Sequence, residues 1–153
     1  MDAMSEVEDW VTRASERLVQ SGHRRGGARR AVIWLLGEQR CALSAVEIGE
    51  ALERADRAVS RASVYRILEE LEDAELVMRI EVGHGVVRYE PIRHGRGHHH
   101  HMVCDRCGRL YPFADERLER ELRRVSEDVA LTVAEHEGIL HGACERCVDG
   151  APD

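Results

Sequence analysis

Ten consecutive residues constrain this chain more than any other stretch: His98-His99-His100-His101-Met102-Val103-Cys104-Asp105-Arg106-Cys107. Four imidazoles lead directly into a Cys-x-x-Cys pair, and a second pair follows at Cys144 and Cys147. Two such pairs are the ligand set of a closed tetrahedral zinc site, with four thiolates and no position left for water. The interval between them has room for a helix and two strands, so zinc there closes a subdomain rather than a knuckle. The competing readings are two disulfides or free core thiols. Disulfides belong to oxidising compartments. The segment Met1 to Gln20 is acidic and amphipathic, unlike a secretory leader, so reduced thiols and structural zinc are expected.

The histidine run is internal and abuts a metal-binding pair, which separates it from a terminal affinity tag. In an extended strand, successive side chains point to opposite faces. His98 and His100 then face one way, and His99 and His101 the other. One strand thereby offers two ligands to each of two metal sites.

With 153 residues the chain has material for one ordinary domain or two small ones. No apolar run approaches the roughly 18 residues of a membrane span, and a cytoplasmic, membrane-free protein is expected. The net charge of −7 does not advertise nucleic-acid binding, but distribution matters more than the sum. Lysine is absent. Arg24, Arg25, Arg29 and Arg30 form one cluster, and Arg54, Arg57, Arg61 and Arg66 another, while acidic residues gather at Glu69–Glu75 and Asp115–Glu121. Arginine is the better bidentate partner for phosphate and guanine; a solvated helix face is the plainer reading of either cluster.

Hydrophobic spacing predicts four helices in the first half. Val7, Trp10, Val11, Ala14 and Leu18 mark the first, which ends near Ser21-Gly22. The second runs from about Ala28 to Leu36 and stops at Gly37. Ser44 to Glu47 reads as a capping box for the third. Ser60 caps the fourth, whose buried stripe is Val64, Ile67, Leu68 and Leu71. Val77–Val82 and Val86–Glu90, joined by Gly83-His84-Gly85, form a hairpin. This order describes a winged helix-turn-helix over residues 1–91, followed by a hinge at 92–97. Residues 98–148 form a second domain, with strands at Arg109–Phe113, around Leu131 and Val133, and at Ile139–Ala143, plus a helix capped by Asp115. Residues 149–153 read as a disordered tail. The fold class is α+β.

The pattern Ser63-Val64-Tyr65-Arg66, a glycine-turn wing, then His-His-His-His-Met-Val-Cys-Asp-Arg-Cys-Gly and a terminal Cys-x-x-Cys resembles the ferric uptake regulator (Fur) family across residues 7–147. The resemblance implies a dimeric, metal-responsive transcription factor with a C-terminal α/β dimerisation domain. Its structural zinc ligands fall on Cys104, Cys107, Cys144 and Cys147. A second site falls on His98, His100, Glu119 and His136, and a hinge regulatory site on Glu90, His99 and His101. Two further ligands of the pattern are missing: a carboxylate position holds Pro112, and a histidine position holds Ala42 beside Cys41. Cys41, His84 or His94 are the available substitutes for a fourth hinge ligand.

These readings converge on a repressor, not an enzyme, that binds a palindromic double-stranded DNA operator as a homodimer. Arg61, Ser63, Tyr65 and Arg66 are the candidate base and phosphate contacts. The cofactors expected are structural Zn2+ and a second divalent metal, Zn2+ or Fe2+. A peroxide- or nickel-responsive regulator of the same family is the alternative. A zinc hydrolase using the histidine cluster is the rival from another class; it lacks a His-Glu-x-x-His motif. A third reading makes the four-cysteine module a clamp in a protein–protein adaptor, which leaves the arginine-bearing fourth helix and the wing unexplained.

Overall fold

The computed structural model describes residues 3–39, 41–83, 85–93, 99–129, 131–133, 136 and 138–148. The chain divides into two compact units, Met1–His94 and Gly95–Asp153. Together they make an α+β fold.

The first unit runs α1 (Ala3–Gln20), α2 (Gly27–Glu38), β1 (Leu43–Ser44), α3 (Ala45–Arg54), α4 (Arg61–Asp73), β2 (Val77–Glu81) and β3 (Val87–Pro91). Local chemistry sets the helix starts. Ser44 Oγ accepts from the Glu47 amide at 3.2 Å, and the Glu47 carboxylate accepts from the Ser44 amide at 2.8 Å, so two orphan donors are satisfied reciprocally. Ser60 Oγ accepts from the Ser63 amide at 3.3 Å at the head of α4. Trp10, Ala14 and Leu18 of α1 meet Val32, Ile33 and Leu36 of α2, Ile48 and Leu52 of α3, and the α4 stripe Val64, Ile67, Leu68 and Leu71 in one core. Each fully buried aliphatic side chain there contributes about 1.5–3 kcal/mol. The antiparallel strands, ordered β1-β3-β2, form the wing. The unit is a winged helix-turn-helix.

Helix ends follow a repeated geometry. After α1, Gly22 sits at φ 88°, with His23 N–H donating to Leu18 O. After α3, Asp56 takes φ 54° and Arg57 N–H reaches Leu52 O; after α4, Glu75 takes φ 56° and Leu76 N–H reaches Leu71 O. All three are the left-handed closing turn that glycine normally supplies, yet two are made by acidic residues. The expected stop of α2 at Gly37 is corrected: the helix continues to Glu38. A Cβ at Gly37 would lie 2.8 Å from Val11 Cγ2 and 3.4 Å from Trp10 Cε3, so this glycine serves the close approach of α1 rather than termination.

The second unit runs β4 (His100–Cys104), β5 (Leu110–Phe113), α5 (Glu116–Asp128), β6 (Ile139–Gly142) and α6 (Glu145–Val148). β4 is the central strand, antiparallel to β5 and parallel to β6. Asp115 Oδ1 caps α5 by accepting from the Arg117 and Leu118 amides at 2.7 and 3.3 Å. Those two bonds hold its carboxyl below the usual carboxylate range. The strand expected around Leu131 and Val133 is absent from the described residues 131–133. Leu131 N–H donates instead to Ser126 O, extending the helix end, and both apolar side chains stay exposed. The two-residue β1 and the single turn of α6 were not legible in the sequence. Of the hinge expected at 92–97, residues 94–97 lie outside the described residues, as does the whole tail expected at 149–153. Among the described residues no helix is long and apolar enough to cross a membrane.

The left-handed backbone at Glu75 gives a stability test. Glu75→Gly is expected to stabilise the first unit by roughly 0.5–1 kcal/mol, the left-handed cost of about 1–2 kcal/mol less the extra chain entropy of glycine. Urea unfolding followed by the fluorescence of Trp10 and Trp34 measures it; a lower midpoint than wild type contradicts the assignment.

Candidate metal centres and recognition helix

The four cysteines converge from four places in the second unit. Cys104 ends β4, Cys107 closes the turn that follows, Cys144 follows β6, and Cys147 lies in α6. Their sulfurs all lie within 4.8 Å of one another, and none is in a disulfide. Cys107 Sγ and Cys144 Sγ are 3.8 Å apart. A tetrahedral zinc with Zn–S bonds near 2.3 Å has S···S edges of about 3.8 Å, so the donor set fits that ion.

Backbone and charge explain why a cation belongs there. The Cys144 amide donates to Cys104 Sγ at 3.3 Å, and amides of Cys107 and Arg106 add to it, lowering the Cys104 thiol to about 6. The Cys147 thiol is pushed the other way, to about 12, by burial first and then by its neighbouring sulfurs. Alone, the cluster accepts negative charge at one edge and resists it at the other. A divalent ion lets all four sulfurs be thiolates together. Arg106 also donates to the Cys147 carbonyl, tying the two knuckles together. Cys-x-x-Cys spacing gives no hint of that contact.

The pleat of β4 separates the histidines. His100 is buried, and its Nε2 lies 2.7 Å from Glu119 Oε1 of α5. His136 Nε2 lies 3.2 Å from Glu119 Oε2. The three side chains form a group with ligand atoms within 4.8 Å. Such separations suit a hydrogen-bonded triad and also adjacent corners of a coordination polyhedron, whose metal–ligand bonds are about 2.0–2.2 Å. His98, expected on the same face, lies outside the described residues. His99 and His101 share the other face, with ring centroids 4.9 Å apart, and His101 is buried. Glu90 belongs to the first unit, where it is buried in β3 opposite Met78. Cys41 is an exposed thiol, and His84 and His94 lie outside the described residues. Pro112 pairs with His101 on β5, and Ala42 is core, so neither missing-ligand position offers a donor.

Gly138 is a functional residue that no sequence signal marked. It stands just before β6, its carbonyl accepting from the His101 amide at 3.0 Å. A Cβ there would lie 2.5 Å from His100 Nδ1. Only glycine leaves the imidazole where Glu119 meets it.

The α4 stripe is buried, and the residues beside it face out. Arg61 and Arg66 are exposed, and Tyr65 is 44% exposed. Ser63 is half-buried and its Oγ accepts from Ser60 Oγ at 2.9 Å, so part of its hydrogen-bonding capacity belongs to the helix cap. The helix thus offers one planar cationic fork near its start and a second a turn later, with an aromatic ring beside it.

Residues 20–141 match the family model described as the ferric uptake regulator family. The chain is 30% identical over 143 residues to the ferric uptake regulation protein of Bacillus subtilis, covering 92% of this chain and 96% of that one. It is 36% identical over 107 residues to the protein of the same name from Legionella pneumophila, covering 69% and 76%. Among solved structures, it superposes on the Helicobacter pylori ferric uptake regulator Fur with a TM-score of 0.82 and 27% identity, covering 93% of each chain. That protein is described as having three functional metal binding sites.

Gly138 separates the two centres of the second unit experimentally. Gly138→Ala is expected to displace His100 and to lower metal uptake by the His100–Glu119–His136 group by about tenfold or more, the usual cost of disturbing a ligand's orientation. The four-cysteine site should keep its full complement. Cobalt substitution distinguishes them, since thiolate coordination has its own charge-transfer absorption; loss of that absorption in the variant contradicts the expectation.

Proposed function

Because the chain belongs to the ferric uptake regulator family of metal-responsive regulators, we propose that it represses transcription as a homodimer on a palindromic DNA operator once a regulatory divalent cation is bound. The single observation that carries this reading is α4, which buries Val64, Ile67, Leu68 and Leu71 and turns Arg61, Tyr65 and Arg66 outward from a winged helix-turn-helix. In such a fold the second helix of the pair enters the major groove with its N-terminal residues on base edges. Arg61 suits guanine O6 and N7, Tyr65 a thymine methyl or phosphate, and Ser63 and Arg66 the backbone.

The metal assignment follows donor chemistry. Cys104, Cys107, Cys144 and Cys147 hold structural zinc, since thiolate favours it. His98, His100, Glu119 and His136 form a second site. Glu90, His99 and His101 form the regulatory site, whose two imidazoles and one carboxylate suit zinc or iron. A ligand set drawn from both sides of the 92–97 hinge binds one arrangement of the hinge more tightly, which is what a cation needs in order to shift an equilibrium.

Dimerisation is supported by α5. It carries Leu118, Leu122 and Val125 on one face, exposed by 37%, 38% and 58%, and buries none of its residues. An apolar stripe of this kind in a small unit marks a contact surface, and a second copy of the chain supplies its cover. A two-fold dimer then reads a palindrome.

Two measurements test the reading. Arg61→Ala is expected to weaken operator binding by about 1–3 kcal/mol, whereas Glu72→Gln, in the acidic stretch, changes it little; equal losses remove α4 from the interface. His99→Ala or Glu90→Ala is expected to abolish metal-dependent DNA binding with the structural zinc and the dimer intact, and His136→Ala to weaken the response less. Operator binding against free metal compares them. Loss of response in His136→Ala alone assigns the sensor to the other face of β4.

A further inference from the structure

One carboxylate on α4 gathers most of the basic groups around it. Glu70, with a side chain 11% exposed, accepts twice through Oε2 from Arg29 of α2, at 2.8 Å from Nε and 2.6 Å from Nη2. Its other oxygen lies 3.7 Å from His23 Nδ1 and 3.8 Å from Arg66 Nη1. Arg29 passes the constraint on, since its Nη1 donates to the Arg24 carbonyl. The contacts differ in strength. Arg29 is 14% exposed and makes two charge-assisted hydrogen bonds, whereas Arg66 is 62% exposed and beyond hydrogen-bonding distance. An exposed pair spaced i, i+4 is weak and readily exchanged.

The geometry points to Glu70 as a positioning residue that sorts the arginines of the DNA-reading surface. It withdraws Arg29 from phosphate, fixes the Arg24–Gly26 segment ahead of α2 through that arginine, and leaves Arg66 loosely restrained and able to exchange the carboxylate for DNA. The inference rests on the DNA-binding reading above. Its consequence concerns specificity. Cations free to find any phosphate raise binding to every sequence, so a carboxylate that immobilises one arginine and restrains another holds down non-specific affinity while keeping the reading helix and the Arg24–Gly26 segment in fixed register.

The experiment uses the full-length, zinc-loaded protein and two probes: a duplex that wild type selects from a randomised pool, and a scrambled duplex of the same composition. Salt dependence of binding is measured for wild type, Glu70→Gln, Glu70→Asp and Arg29→Ala. Glu70→Gln is expected to steepen the slope of log K against log salt by about 0.9, one additional phosphate contact. It should also lower the ratio of selected to scrambled affinity by roughly fivefold or more, a loss the size of about one mismatched base pair. Arg29→Ala loses the anchor of the Arg24–Gly26 segment without freeing a cation, so it should weaken the selected duplex with no steeper slope. Glu70→Asp keeps the charge and should restore most of the wild-type ratio, and it carries the comparison if Glu70→Gln does not fold. Matching losses on both duplexes in Glu70→Gln and Arg29→Ala, with an unaltered slope, reduce Glu70 to a structural ion pair and overturn the proposal. Equal behaviour of Glu70→Asp and Glu70→Gln overturns it too, because charge is then not the agent. Failure of wild type to select any duplex removes the DNA-binding reading itself, an outcome distinct from both.

Discussion

The second unit depends on a strand that is hydrogen-bonded along both edges. β4 lies between β5 and β6, and a strand held on two sides cannot rotate its side chains out of the alternating pleat. The described histidines of the run, His99, His100 and His101, are therefore divided between two faces. His100 is committed to α5 and Glu119, while His99 and His101 meet edge to face on the opposite face. Cys104, the last residue of the same strand, is buried at the mouth of the four-sulfur group. A slip of one residue in register would send each imidazole to the other face and move the cysteine out of reach of Cys144.

The two units are stabilised by different means. The first has an apolar core drawn from four helices and the wing. The second, among its described residues, buries Val103, Cys104 and Cys147 with His100 and His101, and its one long helix buries nothing. A unit that small cannot assemble enough apolar area alone, and metals or association commonly supply the difference. Metal ligation by the sulfur and imidazole groups, or cover for the exposed face of α5, is the kind of support such a half calls for.

How much of this was legible in the sequence depended on the range of the forces involved. The buried stripe of α4, the Ser44 capping box and the wing were readable because periodicity and caps act within a few residues. The cysteine quartet was readable because few other structures require that spacing. Where local patterning misled, a neighbour had overridden it. Leu131 and Val133 alternate as a strand does, but Leu131 N–H is taken by Ser126 O. Gly37 looks like a stop signal, but α1 requires the space. Glu70 and Gly138 were invisible because their roles arise only when distant segments meet, Glu70 with Arg29 across 41 residues of sequence and Gly138 against the imidazole of His100.

The parallel pairing of β4 with β6 has a consequence for how the sulfur and imidazole groups are aligned. The sulfur cluster brings Cys107 and Cys144 together across 37 residues, and β6 runs directly into Cys144. The same short strand begins beside Gly138, which abuts His100. A clamp at one end of a four-residue strand therefore sets the alignment of the other end, much as a capstan fixes the tension of a string along its whole length. The short strand that leads to Cys144 is thus the one whose start places Gly138 against the imidazole of His100.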